Sequence, residues 1–294
     1  MKTWGFNKGL YDLGTGCYAW IQPDGTWGYS NSGLIADGGE SLLVDTLYDL
    51  PKTQEMLDGY RKVVPAAQNI GTLVNTHSNG DHYFGNAVFK REGATFIAHR
   101  DTLRMMQVHH GAEMKRRVGY FKQTGFDPAD VRLVPPDITF DDKLTLHFGG
   151  RVVELLYVGP GQNPGDTLVY FPKEKVLFSG GPFSKNSWPN PMFTPSMSNW
   201  VVMLRKMAAM DVDRYLGGHG DIGAKQDVLN EAQMLADFDA GMRAAVAKGM
   251  SPQEILKSAP FEKYRDVRNY YRMNLFINSY HHFLTTGKPQ VALP

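Results

Sequence analysis

Cysteine is almost absent from this 294-residue chain: the single Cys17 excludes an internal disulfide framework and fits a reducing compartment. Long apolar runs are absent too, and nothing approaches the roughly 18 residues that a membrane span needs. The opening MKTWGFNKGLYDLG has no continuous apolar stretch of the signal-peptide kind, so a cytoplasmic location is expected. Neither sign of charge is in surplus. With 31 basic and 30 acidic side chains, a formal net charge of +1 argues against a basic surface for nucleic acid or anionic membrane. The P-loop and G-x-S-x-G patterns are missing, which removes the usual P-loop nucleotide and serine-hydrolase readings. The partner class left is a small-molecule substrate, with a homo-oligomer left open.

What is present reads as two β-rich blocks, each followed by helical segments. LIAD-GGE-SLLVDT, ending near Asp45, and LVYF-PKE-KVLFSG have the same strand-turn-strand form. Helical spacing follows the first at Met56, Tyr60 and Val63, with Pro51 suited to a first turn. After about Ile222, Val228, Ala232, Leu235, Met242 and Ala245 form one helical stripe ended by Gly249. Ser251-Pro252-Gln253-Glu254 then has the form of a capping box, and a further helix is predicted over 261–285. The pattern suggests an α/β fold of two packed sheets with helices outside, residues 1–223, and a helical extension of the same domain, residues 224–294.

The chemistry concentrates in Asn75-Thr76-His77-Ser78-Asn79-Gly80-Asp81-His82, which follows an apolar strand. Several ligand-type side chains in one strand-to-helix loop can be aimed at a common point. This segment resembles the H-x-H-x-D-H metal motif of the metallo-β-lactamase superfamily. Three further landmarks match that family in order: Gly159-Pro160-Gly161-Gln162-Asn163-Pro164-Gly165-Asp166, Phe178-Ser179-Gly180-Gly181, and Gly217-Gly218-His219-Gly220. The resemblance covers about residues 31–223 and implies an αββα four-layer sandwich with its site at one edge, between the sheets.

The departures from that family pattern carry the functional reading. By resemblance, a first metal would take His77, Asn79 and Gln162, so two of three expected histidines are amides. The aspartate that bridges the two metals falls on Gly181. The second set, Asp81, His82 and His219, is complete. Two divalent cations about 3.5–4 Å apart repel by roughly 15–20 kcal/mol at an effective dielectric near 20, and the bridging carboxylate that would offset this is missing. One divalent ion is therefore expected, on Asp81, His82 and His219. Two histidines and a carboxylate suit Zn2+ first, with an open position for water, and Fe2+ or Mn2+ as alternatives.

The expected activity is hydrolysis of an ester, lactone, thioester or amide by metal-activated water, with His77 and Asp81 as catalytic groups. Alternatives are a non-hydrolytic oxygenase or lyase on the same scaffold, and a binding protein with a decayed site. Asn79 and Gln162 would either orient the substrate or simply fill the vacated space. Asp45 would either support the site or cap a turn, and Asp166 would orient ligands or hold its own loop. Tyr83, Trp188 and Phe193 are candidates for a substrate-pocket wall, the last two in a Trp- and Pro-rich insertion. His99 and the pairs His109-His110 and His281-His282 read as structural, and Cys17 is assigned no chemistry.

Overall fold

The computed structural model describes residues 6–23, 30–123, 131–191, 194 and 196–288. Among these, two sheets pack face to face. The first has seven strands in sequential order: β1 (Gly9–Gly14), β2 (Cys17–Ile21), β3 (Ser32–Asp37), β4 (Glu40–Val44), β5 (Thr72–Asn75), β6 (Thr95–His99) and β7 (Ile138–Phe140). The second has five, in the order β12-β11-β10-β9-β8: β8 (Lys143–Phe148), β9 (Arg151–Leu156), β10 (Leu168–Phe171), β11 (Val176–Lys185) and β12 (Arg214–Gly220). The helices are α1 (Leu50–Val63), α2 (Gly80–Tyr83), α3 (Asn86–Arg91), α4 (Arg100–Gln123), α5 (Met197–Ala209), α6 (Lys225–Ala247), α7 (Pro252–Ser258) and α8 (Met273–Thr286).

Strand alternation explains the layers. Side chains two residues apart share a face, so a strand buried on both faces reads as an unbroken apolar run. In the two repeated hairpins, β3–β4 and β10–β11, Ile35, Leu42, Val44, Val169, Val176 and Phe178 point inward and meet between the sheets. Leu34, Leu43, Leu73 and Phe96 point outward onto Met56, Leu57 and Tyr60 of α1. On the other flank Leu168, Leu177 and Tyr215 carry α5, α6 and α8. The result is the αββα sandwich. Among the described residues no helix is long and apolar enough to cross a membrane.

The helix signals are physically consistent. Asp49 caps α1, accepting from Lys52 N, with Pro51 in the first turn; Met56 and Tyr60 are buried, while Val63 is 59% exposed and lies off the core face. The Ser251–Glu254 capping box opens α7, and the stripe from Val228 to Ala245 lies buried along α6. The predicted helix over 261–285 is corrected: 262–264 and 270–272 are single 3-10 turns and only α8 is α-helical. The break lies at 268–269. Arg268 pairs with the insertion, its N–H donating to Asn186 and its carbonyl accepting from Trp188, and Asn269 takes a left-handed φ of 66°.

That pairing also decides the fate of the insertion. Trp188 is 2% exposed and packs against Phe238, Tyr264 and Phe276 in the core under the C-terminal helices. It is a packing residue here and not a pocket wall. Trp188→Ala should therefore lower stability by about 3–5 kcal/mol, the usual cost of a large aromatic lost from a core. Urea unfolding checks this; a loss below about 1 kcal/mol would contradict the placement.

Candidate metal centre

Four chain segments reach one edge of the sandwich at the carboxyl ends of parallel strands, where open α/β sheets place their sites. Asp45 follows β4, residues 76–82 follow β5, Gly180 and Gly181 lie in β11, and His219 lies in β12. Asp81, His82 and His219 converge. His219 Nε2 is 3.4 Å from Asp81 Oδ2 and 3.5 Å from His82 Nε2, and His82 Nε2 is 3.8 Å from Asp81 Oδ2. Donors about 2.0–2.1 Å from a tetrahedral zinc stand about 3.3 Å apart. The three atoms thus form a nearly equilateral face of the right size, and the residues fit one ion.

Asp45 organises this face. Its Oδ1 accepts from Thr76 N at 2.7 Å, and its Oδ2 accepts from Thr76 Oγ1 at 2.7 Å and from His82 Nδ1 at 2.8 Å. The last bond fixes the tautomer, leaving the lone pair of His82 on Nε2, toward Asp81 and His219. Burial opposes charging His82, but the Asp45 and Asp81 carboxylates outweigh it and raise its pKa above the ordinary histidine value. Asp45 itself sits at φ 61°, a left-handed conformation that costs a non-glycine residue about 1–2 kcal/mol, and the three hydrogen bonds offset that cost. Asp45, His77 and His82 lie close enough to resemble a second metal group, but the carboxylate is already committed to Thr76 and His82. It is a support rather than a second site.

Further groups lock the ligand backbone. The His82 carbonyl accepts from Thr46 N at 2.9 Å and Asn75 Nδ2 at 3.0 Å, and Ser30 Oγ donates to the Asp81 carbonyl. Asn31 Nδ2 donates to the carbonyls of Gly217 and Gly220 and so clamps the turns around His219. A Cβ on Gly218 would come within 2.9 Å of His82 Cε1, so only glycine lets β12 pass this closely.

The first-metal position is built differently. His77 is fully buried. Thr76 Oγ1 gives its one proton to Asp45 and accepts from His77 Nδ1 at 2.9 Å, which leaves a lone pair on His77 Nε2, an atom with no hydrogen-bond partner. Burial, and then the nearby His82 and His219, push the His77 pKa well down, so the ring is neutral. Gln162 Oε1 accepts from Asn163 Nδ2 at 3.3 Å and, weakly, from Asn79 Nδ2 at 3.4 Å. A Cβ on Gly181 would stand 2.0 Å from Gln162 Oε1 and 3.1 Å from His77 Nε2. The glutamine amide thus fills the space where a side chain at 181 would begin.

Asp166 holds the loop that carries Gln162. It accepts from Asn163 N at 2.8 Å and from the N–H groups of Gly161 and Gln162, while burial pushes its pKa up to about 8. The structure does not bring Tyr83 to the site: it is 2% exposed, meets Phe84 edge to face and shares a hydrogen bond with His110 at 3.1 Å. Phe193 lies outside the described residues. Sequence reasoning missed Thr76, Asn163, Ser30 and Asn31. The first two sit inside motifs already singled out, so adjacency was the available signal.

This site on this sandwich defines a metal-binding αββα enzyme. Residues 25–219 match the family model described as the metallo-beta-lactamase superfamily, and the chain belongs to that superfamily of metalloenzymes. It is 26% identical over 205 residues to the 2,4-dinitroanisole O-demethylase subunit alpha of Nocardioides sp. (strain JS1661), covering 68% of this chain and 54% of that protein. It is 22% identical over 218 residues to metallo-beta-lactamase type 2 of Bacteroides fragilis, covering 72% and 78%. Among solved structures, the sec-alkylsulfatase Pisa1 from Pseudomonas sp. aligns with a TM-score of 0.72 at 17% identity, over 94% of this chain and 50% of that one. A metallo-beta-lactamase from Pontibacter korlensis aligns at 0.60 and 17%, over 78% and 98%. This chain thus spans about half the length of the demethylase subunit and of the alkylsulfatase, and the structural likenesses show the fold.

Because Asp45 sets the His82 tautomer, Asp45→Asn should weaken metal binding about 10–100-fold while the chain remains folded. Competition with a chromophoric chelator, read beside circular dichroism, checks this; unchanged affinity in a folded variant would contradict the assignment.

Proposed function

We propose that the protein is a mononuclear metal-dependent hydrolase of a small organic ester, lactone, thioester or amide, with one divalent ion, zinc, on Asp81, His82 and His219. The observation that carries this reading is the asymmetry of the site. One ligand face is complete and supported, while the other is occupied by the Gln162 amide beside a glycine. A divalent ion there supplies Lewis acidity and lowers the pKa of a coordinated water toward about 7.

The chain's own residues supply the rest. The neutral His77, with its Nε2 lone pair unpartnered and its ring centroid 4.1 Å from that of His82, is the proton acceptor beside the ligand face. Gln162 Oε1 and the unpartnered Asn79 Oδ1 are acceptors in the same recess. Such acceptors pair with a substrate N–H or O–H, or with a water in transit, and amide oxygens are poorer ligands than imidazole for a second zinc. Burial keeps water around the reacting groups scarce and strengthens each of these interactions. The relatives' names, an O-demethylase subunit and a β-lactamase, fit a small organic substrate. The same two-histidine, one-carboxylate donor set also suits Fe2+ or Mn2+, so an oxygenase or lyase is the second reading, distinguished by iron content and oxygen consumption.

Metal analysis should find about one ion per chain after dialysis, and the combined change Asn79→His, Gln162→His and Gly181→Asp should raise the capacity to two. Two tightly held ions in the unaltered protein would overturn the mononuclear reading. Asn79→Ala with Gln162→Ala should lower kcat/KM at least about tenfold, the cost of a lost buried hydrogen-bonding pair, at unchanged metal content. Undiminished turnover would remove the substrate-orienting role.

A further inference from the structure

Apart from the metal centre, a cavity of about 130 Å3 opens where the end of β11 meets α6 and the segment of Tyr264 and Val267. That is the space of about four waters at ~30 Å3 each. Among its mostly polar lining, the buried charged group is Glu231, which is 5% exposed. Glu231 Oε2 accepts from Ser184 N at 2.8 Å, and Oε1 has no hydrogen-bond partner. Met234, Tyr264 and Val267 give the cavity apolar lining.

We propose that this cavity binds a small primary alkylammonium, with its charged nitrogen on Glu231 Oε1 and its short alkyl body against Met234, Tyr264 and Val267. The charge pattern selects a cation. Lys185, which also lines the cavity, is committed to Asp227 at 3.3 Å and to the Ile222 carbonyl at 3.2 Å. That pair cancels, and Glu231 is left without a counter-charge. Burial without a counter-charge pushes its pKa up to about 8, eased by the Ser184 N–H, so a bound ammonium takes the place of the carboxyl proton. An ammonium brings both the missing charge and three donors. A divalent metal would find one free carboxylate oxygen where hard cations take six or more oxygens. The site lies on the strand that supports the metal centre, since Ser184 pairs with His219 in the β11–β12 ladder.

The test is binding of n-propylammonium chloride to the purified protein, followed by the backbone amide signals of Ser184 and Glu231, against sodium chloride and propan-1-ol at matched concentration. Saturable shifts are expected with the ammonium alone. Glu231→Gln should weaken binding at least about tenfold, the usual worth of a charge-assisted hydrogen bond. Val267→Trp, which fills the cavity from its half-buried wall without touching Glu231, should abolish it, and His219→Ala should leave it intact. Absence of saturation, equal shifts with propan-1-ol, or unchanged affinity in Glu231→Gln would each overturn the proposal.

Discussion

The hydrogen bond from His82 Nδ1 to Asp45 Oδ2 is the constraint on which the site depends. It joins the end of β4 to the loop after β5, selects the histidine tautomer and turns the Nε2 lone pair of His82 toward the ligand face. Asp45 reaches it through a left-handed backbone, and Thr76 completes the arrangement by bonding both carboxylate oxygens. The same Thr76 hydroxyl orients His77. One aspartate therefore sets the lone pairs of two histidines, one on the complete ligand face and one on the altered side. A carboxylate bonded to the far ring nitrogen of a ligating histidine governs that ligand's basicity and orientation together.

The altered side is internally consistent. Gln162 Oε1 occupies the space beside Gly181, is held by Asn163 and Asn79, and rides on a loop fastened by Asp166. Removing a bridging carboxylate removes the charge that lets two cations coexist. Replacing imidazoles by amides removes the donors that zinc prefers. The three changes act in one direction and leave a neutral recess beside a single ligand face. The backbone support from Ser30, Asn31, Thr46 and Asn75 converges on Asp81, His82 and His219.

Much of this was legible in the chain itself. The two hairpins read as twin apolar runs because both faces of each strand are buried, and the resemblance of the ligand motifs to the metallo-β-lactamase pattern pointed to both the complete set and the missing members. Trp188 and Tyr83 were less legible, because an aromatic beside a site and an aromatic in the core have the same composition. Only the pairing of Arg268 with the insertion puts Trp188 under the C-terminal helices. The same pairing interrupts the helix expected over 261–285. Glu231 gave no signal either: on an amphipathic helix it reads as a solvated charge, and its burial follows from the close approach of β11.

The most direct measurement is anomalous diffraction at the zinc edge from crystals soaked in excess zinc. The account predicts one peak at this edge of the sandwich, bonded to Asp81, His82 and His219, with Gln162 Oε1 still beside Gly181. A second peak of comparable height on His77 Nε2 would contradict it.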